Sequence, residues 1–278
     1  MLRLIVDSGS SIKQDEREKY QVDILPLKIL LGDKEYLDGI DLSMDTFYHA
    51  LIEEKLFPKT SLPSLGETEA LVNRYLADGD EVMILTISSG ISGTYNTMRM
   101  HFANDPRVRV IDTKTAVGGI RILLGEINKM RHEAVEVIER KVRALIERIR
   151  VIAIPETLDY LHRGGRLSRS AWAIGSLLQI KPLITLDSKD GNVKVLGKER
   201  GKRRAMQWLA EALKKFRCDA RYPIVPSYTY NKDNLDALIA MTDKKYHAQM
   251  IEYDNLDPAI ACHWGPNAFG YIFVSEEV

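Results

Sequence analysis

Residues 81–87 form a nearly unbroken apolar run that ends in small polar residues. Such a run predicts a strand buried on both faces, as in a parallel sheet covered by helices. Ser88, Ser89, Gly90, Ile91, Ser92, Gly93 and Thr94 follow directly, and from Tyr95 onward the pattern turns helical. Either Ser92 or Thr94 can cap the free N–H groups of that helix. A short apolar strand ending in a polar loop recurs at residues 2–6, before Asp7, Ser8, Gly9, Ser10 and Ser11. It recurs again at residues 107–111, before Asp112 and Thr113. Strands that end in polar loops and lead into helices predict a doubly wound α/β unit with a mostly parallel sheet.

Between these units, residues 22–31 read as one strand, Gly32 and Asp33 as a turn, and residues 35–39 as the return. Ser43 caps one helix, and Ser64 with Glu67 three positions on forms a capping box for the next. Val135, Ile138, Val142, Leu145, Ile146 and Ile149 recur at helical spacing, which predicts an amphipathic helix over residues 134–150. Residues 151–154 follow as a strand, and the chain divides near it into domains 1–157 and 158–278. In the second part Gly164 and Gly165 end a helical turn, and residues 171–180, apolar on all sides, predict a buried helix. Asp190 and Gly191 turn a hairpin. An amphipathic helix at residues 204–216 and strands at 222–225, 249–253 and 271–274 complete a smaller C-terminal α/β domain.

A length of 278 residues favours two cores over one. Lys and Arg total 39 and Asp and Glu total 39, so no global field draws nucleic acid or an anionic membrane. No uncharged apolar run approaches the ~20 residues of a membrane span, so stable membrane insertion is not expected. The two cysteines, Cys218 and Cys262, read as reduced thiols in a cytoplasmic protein.

The loop after residue 87 sits where open α/β sheets take their ligands, and it offers hydroxyls and backbone N–H groups suited to an anion. It is equally the pattern of a capped turn with no ligand. A serine hydrolase using Ser92, with His263 as base and Asp7 or Asp112 to orient it, is the enzymatic alternative. The nucleophile elbow G-x-S-x-G is not met, because Gly93 arrives one place early and Thr94 takes the last position. Phosphate-binding glycine motifs and metal-ligand spacings are absent from the sequence. The basic run from Lys198 to Arg204 reads as a solvated helix start, or as a face for an acidic partner, since cations are disfavoured at a helix N-terminus.

Several short motifs together resemble the DegV family of bacterial fatty-acid-binding proteins. They are Asp7-Ser8 after a strand, Leu25-Pro26-Leu27 with Tyr36-Leu37-Asp38-Gly39, and Thr60-Ser61-Leu62-Pro63-Ser64. Ser88 through Tyr95, Asp112-Thr113, Leu161 through Ser168, Lys181-Pro182-Leu183 and His263-Trp264-Gly265-Pro266 follow in the family's order. Asn267 in place of a usual glycine, and Val117 through Ile120 at a helix start, depart from its pattern.

The resemblance implies a carrier rather than an enzyme: a long-chain fatty acid enclosed by the C-terminal domain, with its carboxylate at a hydroxyl rim. Thr60, Ser61, Ser92 and His263 would hold the carboxylate, with Ser89, Gly93 and Thr94 supporting them. A separate fatty acid kinase would phosphorylate the bound acid to an acyl-phosphate for phospholipid synthesis. Arg163, Arg166, Arg169 and Arg203 would dock that partner. No metal or cofactor is implied.

Overall fold

The computed structural model describes residues 1–175, 179–251 and 254–277. The chain forms two compact units, Met1–Ile146 with Asp257–Ala259, and Glu147–Leu256 with Ile260–Val278.

The first unit runs β1 (Leu2–Asp7), α1 (Glu16–Tyr20), β2 (Val22–Leu25), β3 (Lys28–Leu31), β4 (Lys34–Leu37), α2 (Met44–Ile52) and β5 (Lys59–Ser61). It continues with α3 (Leu65–Ala77), β6 (Glu81–Thr86), α4 (Thr94–His101), β7 (Val108–Asp112), α5 (Gly118–Lys129) and α6 (Val135–Ile146). A four-stranded sheet, ordered β2-β1-β6-β7, is parallel throughout. Ile5, Val82 and Ile84 face a cluster with Val72 and Tyr75 of α3 and with Met98 of α4. Met83 and Leu85 lie on the alternate face and are equally covered. The apolar run of β6 is thus explained by burial on both sides.

Strand β1 is followed by β2 on one flank and adjoins β6 on the other, so the loops after β1 and β6 leave at the point where the sheet reverses direction. The expected single strand over residues 22–31 is instead two. Pro26 lacks an N–H and breaks it, so β2 joins the parallel sheet while β3 starts a three-stranded antiparallel sheet, β4-β3-β5. Ser43 and Ser64 cap α2 and α3 by accepting the N–H groups of Thr46 and Glu67. The helix expected over residues 134–150 ends at Ile146, and Ile149 and Arg150 belong to the next strand.

The second unit runs β8 (Ile149–Ile154), α7 (Asp159–Arg163), α8 (Arg169–Gly175), β9 (Ile180–Leu186), β10 (Val193–Arg200) and α9 (Lys202–Lys215). β11 (Val225–Tyr228), α10 (Asp233–Met241), β12 (Asp254–Asn255), α11 (Pro258–Trp264) and β13 (Phe269–Val274) complete it. Its six-stranded sheet, β10-β9-β8-β13-β11-β12, is antiparallel except for the β11–β12 pair. On one face α9 and α10 pack Leu209, Leu213 and Leu235 against Ile152, Tyr271 and Phe273. On the other, Ile184 meets Leu158, Leu161 and Leu167, with Trp172 and Trp264 half-covered beside them. The buried helix expected over residues 171–180 is shorter. It spans Arg169–Gly175, with Ala173 exposed, and residues 176–178 of that expectation lie outside the described residues. The basic run is split: Lys198 and Arg200 end β10, and only Lys202 onward begins α9.

Leu209 is fully buried between α9 and the sheet. Leu209→Ala removes its contacts and leaves a cavity, which should cost about 2–5 kcal/mol. Urea unfolding of the full chain checks this, and a loss below about 1 kcal/mol would mean that α9 is not packed on the sheet as described.

Candidate functional site

The Ile87–Thr94 loop leaves the carboxyl end of β6 and folds largely on its own hydrogen bonds. The Gly90 N–H donates to Ser88 Oγ at 3.1 Å, and the N–H groups of Ile91 and Ser92 donate to the Ser88 carbonyl, each at 3.1 Å. Ser92 Oγ accepts the Thr94 N–H at 3.3 Å and lies 2.9 Å from Thr94 Oγ1. The residue before α4 is Gly93, whose lack of a side chain leaves no cap. Ser92 and Thr94 therefore brace each other rather than cap the helix. Ser92 is half-buried, Gly93 exposed and Thr94 buried, so the loop presents its middle outward.

Carboxylates from the two neighbouring strands grip this loop. Asp112, at the end of β7, accepts the Ser89 N–H at 2.9 Å, the Ser89 hydroxyl at 2.6 Å and the Lys114 N–H at 3.2 Å. Asp7, at the end of β1, accepts the Ile87 N–H through Oδ2 at 3.0 Å. In the sequence both residues are possible orienters of a catalytic histidine; their bonds go instead to the loop's backbone and to the Ser89 hydroxyl. Their signal was their position, one carboxylate closing each flanking strand.

Thr60 and Ser61 sit on β5, where Ile29 and Lys28 of β3 pair with them. Thr60 is half-buried and Ser61 exposed. The next residue, Leu62, has its side chain within van der Waals reach of Gly93, so this loop and the Ser92 loop lie together. The first unit thus brings the Thr60–Leu62 segment beside the Ser88–Thr94 loop through Leu62 and Gly93.

His263 belongs to the second unit, on the last turn of α11. Its ring lies against Gly164, where a Cβ would stand 2.4 Å from Nδ1, so only glycine leaves room for the imidazole. Burial, followed by the positive charge of Arg166, lowers its pKa to about 3. The imidazole is therefore neutral at physiological pH. A general base works best with a pKa near the working pH, so this histidine is a poor base for a serine nucleophile but a serviceable N–H donor. Arg163 and Arg169, at the adjoining ends of α7 and α8, are exposed, as is Arg203 on α9. Arg166 is half-buried and turns inward, donating to the Gly164 carbonyl.

A separate cleft of about 390 Å³ opens at the amino ends of β1 and β2, lined by Arg3, Gln14, Arg17, Asp23 and Tyr75 among others. Arg3 is paired with Asp80 at 2.6 Å and Arg17 with Asp23 at 3.0 Å, so its charges are internally matched. It lies at the opposite end of the strands from the hydroxyl loops. Among the described residues no group of three or more His, Cys, Asp or Glu side chains is placed to hold a metal ion, and no helix is long and apolar enough to cross a membrane.

Comparison with known proteins assigns this architecture. The model of the DegV family, described as uncharacterised proteins, matches residues 1–276. A DegV domain-containing protein of Clostridium acetobutylicum is 30% identical over 280 residues, covering 99% of each chain. One from Caldanaerobacter subterraneus is 31% identical over 277 residues and 98% of each chain. Among solved structures, a fatty-acid-binding DegV protein of Streptococcus agalactiae superposes with a TM-score of 0.89 at 28% identity, covering 100% of this chain and 99% of its own. A DegV family protein of Thermus thermophilus, described for its fatty acid binding, gives 0.86 at 27% identity over 99% of each chain. With a family model spanning nearly its whole length and relatives aligned end to end, the chain belongs to the DegV family.

Proposed function

We propose that this protein binds a long-chain fatty acid and presents its carboxylate to a separate kinase, performing no chemistry itself. The observation that carries the reading is the hydroxyl-bearing Ser88–Thr94 loop at the carboxyl end of the parallel sheet, with Leu62, which follows Thr60 and Ser61 of β5, beside its Gly93. The fatty acid binding described for its solved relatives supports it. Ser89, Gly93 and Thr94 shape the rim.

The division of labour between head and tail follows from magnitudes. A palmitate-sized tail contributes roughly 12 kcal/mol gross when buried, at about 0.8 kcal/mol per methylene. Hydrogen bonds from neutral donors to a carboxylate add about 1.5–3 kcal/mol each. The tail can thus supply the affinity, while hydroxyls orient the carboxylate without neutralising the oxygen that must attack a phosphoryl donor. An arginine clamp would blunt that nucleophile. Arg163, Arg169 and Arg203 are exposed cations suited to docking an acidic partner surface, with Arg166 holding the turn between them.

Native mass spectrometry of the freshly purified protein, followed by solvent extraction, tests the reading. A stoichiometric adduct of fatty-acid mass, released by solvent, is expected. A bare protein that also refuses added palmitate would overturn it. Ser92→Ala should weaken binding of a long-chain acid by about ten-fold or more, and Thr60→Ala added to it should weaken it further. Wild-type binding and wild-type acyl-phosphate formation by the double variant would remove the rim from the site. The His263 ring protons, followed by NMR, should show no titration between about pH 5 and pH 8. A midpoint near the ordinary histidine value would contradict the neutral donor role.

A further inference from the structure

Asp7 and Asp112 both hold the Ile87–Ser89 start of the same loop, yet they are unlike. Asp112 is partly open to solvent and receives three donors. Asp7 is wholly buried, and its Oδ1 has no well-formed hydrogen bond among the described residues. Gly9 makes room for it: a Cβ at that position would lie 2.7 Å from Ile87 Cγ2 and 3.1 Å from Asp7 Oδ1. Asp7 and Ile87 therefore meet across the β1–β6 crevice against Gly9.

Among the charged groups around the Asp7–Ser11 loop, Arg121 with Glu16 and Lys13 with Asp257 are paired with one another. Arg121 of α5 donates to the Ser11 carbonyl at 3.1 Å and to Glu16 of α1 at 2.9 Å. Lys13 pairs with Asp257. Asp38, after β4, is itself buried and accepts the Ala259 N–H at 3.1 Å. None of these brings Asp7 a counter-charge. Burial accordingly raises its carboxyl to about 7 against the pull of the Ile87 and Gly9 N–H groups.

We infer that Asp7 is a positioning residue of the head-group loop: through the Ile87 amide it sets where Ser92 stands, and it couples that placement to a proton held by the protein. The effect on ligand binding rests on the fatty-acid reading above; the placement of the loop does not. A carboxyl whose folded value lies above the ordinary one is neutral at lower pH and acquires its charge as pH rises through about 7. An anionic head group bound near this loop is repelled by the ionised form. Affinity should therefore fall several-fold between about pH 6 and about pH 8.5, and binding in the middle of that range should take up part of a proton.

The first test needs no ligand. In the full chain, the Ile87 amide resonance should titrate with a midpoint near 7, and Asp7→Asn should abolish that response. Asp38→Asn should leave it in place, since the Asp38 carboxyl is also raised to about 7, by burial and by Asp257, and must be distinguished. The second test is calorimetric binding of dodecanoate at both ends of the range, in buffers of differing ionisation heat. Asp7→Asn keeps an oxygen for the Ile87 N–H but cannot ionise, so its affinity should change less between the two pH values than that of the wild type. Asp7→Ala has no acceptor and should bind ten-fold or more weakly at both ends, with faster amide exchange through the loop. An Ile87 amide that does not titrate, an Asp7→Asn variant with the wild-type pH profile, or an Asp7→Ala variant that binds normally would each overturn the inference. If the wild type binds no dodecanoate, the fatty-acid reading fails, and the Ile87 titration and loop exchange decide the positioning role alone.

Discussion

Four parallel strands covered on both faces leave only their ends for polar chemistry, and the arrangement of the first unit follows from that constraint. β6 is apolar from Val82 to Leu85 because both of its faces are buried, one of them under α3 and α4, and the chain turns polar as soon as it clears the sheet. Backbone N–H groups freed at that edge must find acceptors. They find them in Asp7, Asp112 and the Ser88 hydroxyl and carbonyl, and the loop that results is held in one conformation with Ser92 at its outer side. The hydroxyls of this loop stand where a buried parallel sheet ends.

Carboxylates show how strongly surroundings decide chemistry here. Asp219 in the second unit lies between Arg221 and Arg148, and hydrogen bonding to Arg221 foremost lowers it to about 2. Asp7 and Asp38 in the first unit lack such a clamp, and burial raises each to about 7. Asp219 serves as a charged staple, whereas Asp7 and Asp38 are carboxyls able to exchange a proton near neutrality. His263 moves in the complementary direction, since burial favours its uncharged form.

The hydroxyl-rich loops and their helices were legible because their signals are local. Ser43 and Ser64 cap their helices as serines before helical runs should, and the Asp190-Gly191 turn joins β9 to β10 as such a dipeptide should. The failures have local causes that only the third dimension weighs. Pro26 splits a continuous apolar run between two sheets. Ile149 carries the helical period of α6 onward, but its place beside Val274 in the second sheet outweighs one more turn of helix. Lys198 and Arg200 look like part of a helix start, and pairing with Pro182 and Ile180 makes them strand instead.

Sequence alone determined the class of the chain, the loops that carry its hydroxyls, and the family those loops belong to. Periodicity, turn residues and short polar motifs are properties of neighbouring positions, and a single chain displays them directly. The tertiary structure decided which strands pair and in which sense, which carboxylates hold the Ser92 loop, and which ionisable groups lose their charge. Those outcomes depend on contacts between residues as distant in sequence as Asp7 and Ile87, and on the removal of water around them. Burial sets the cost of a charge, and it comes into being only when the chain has closed around it.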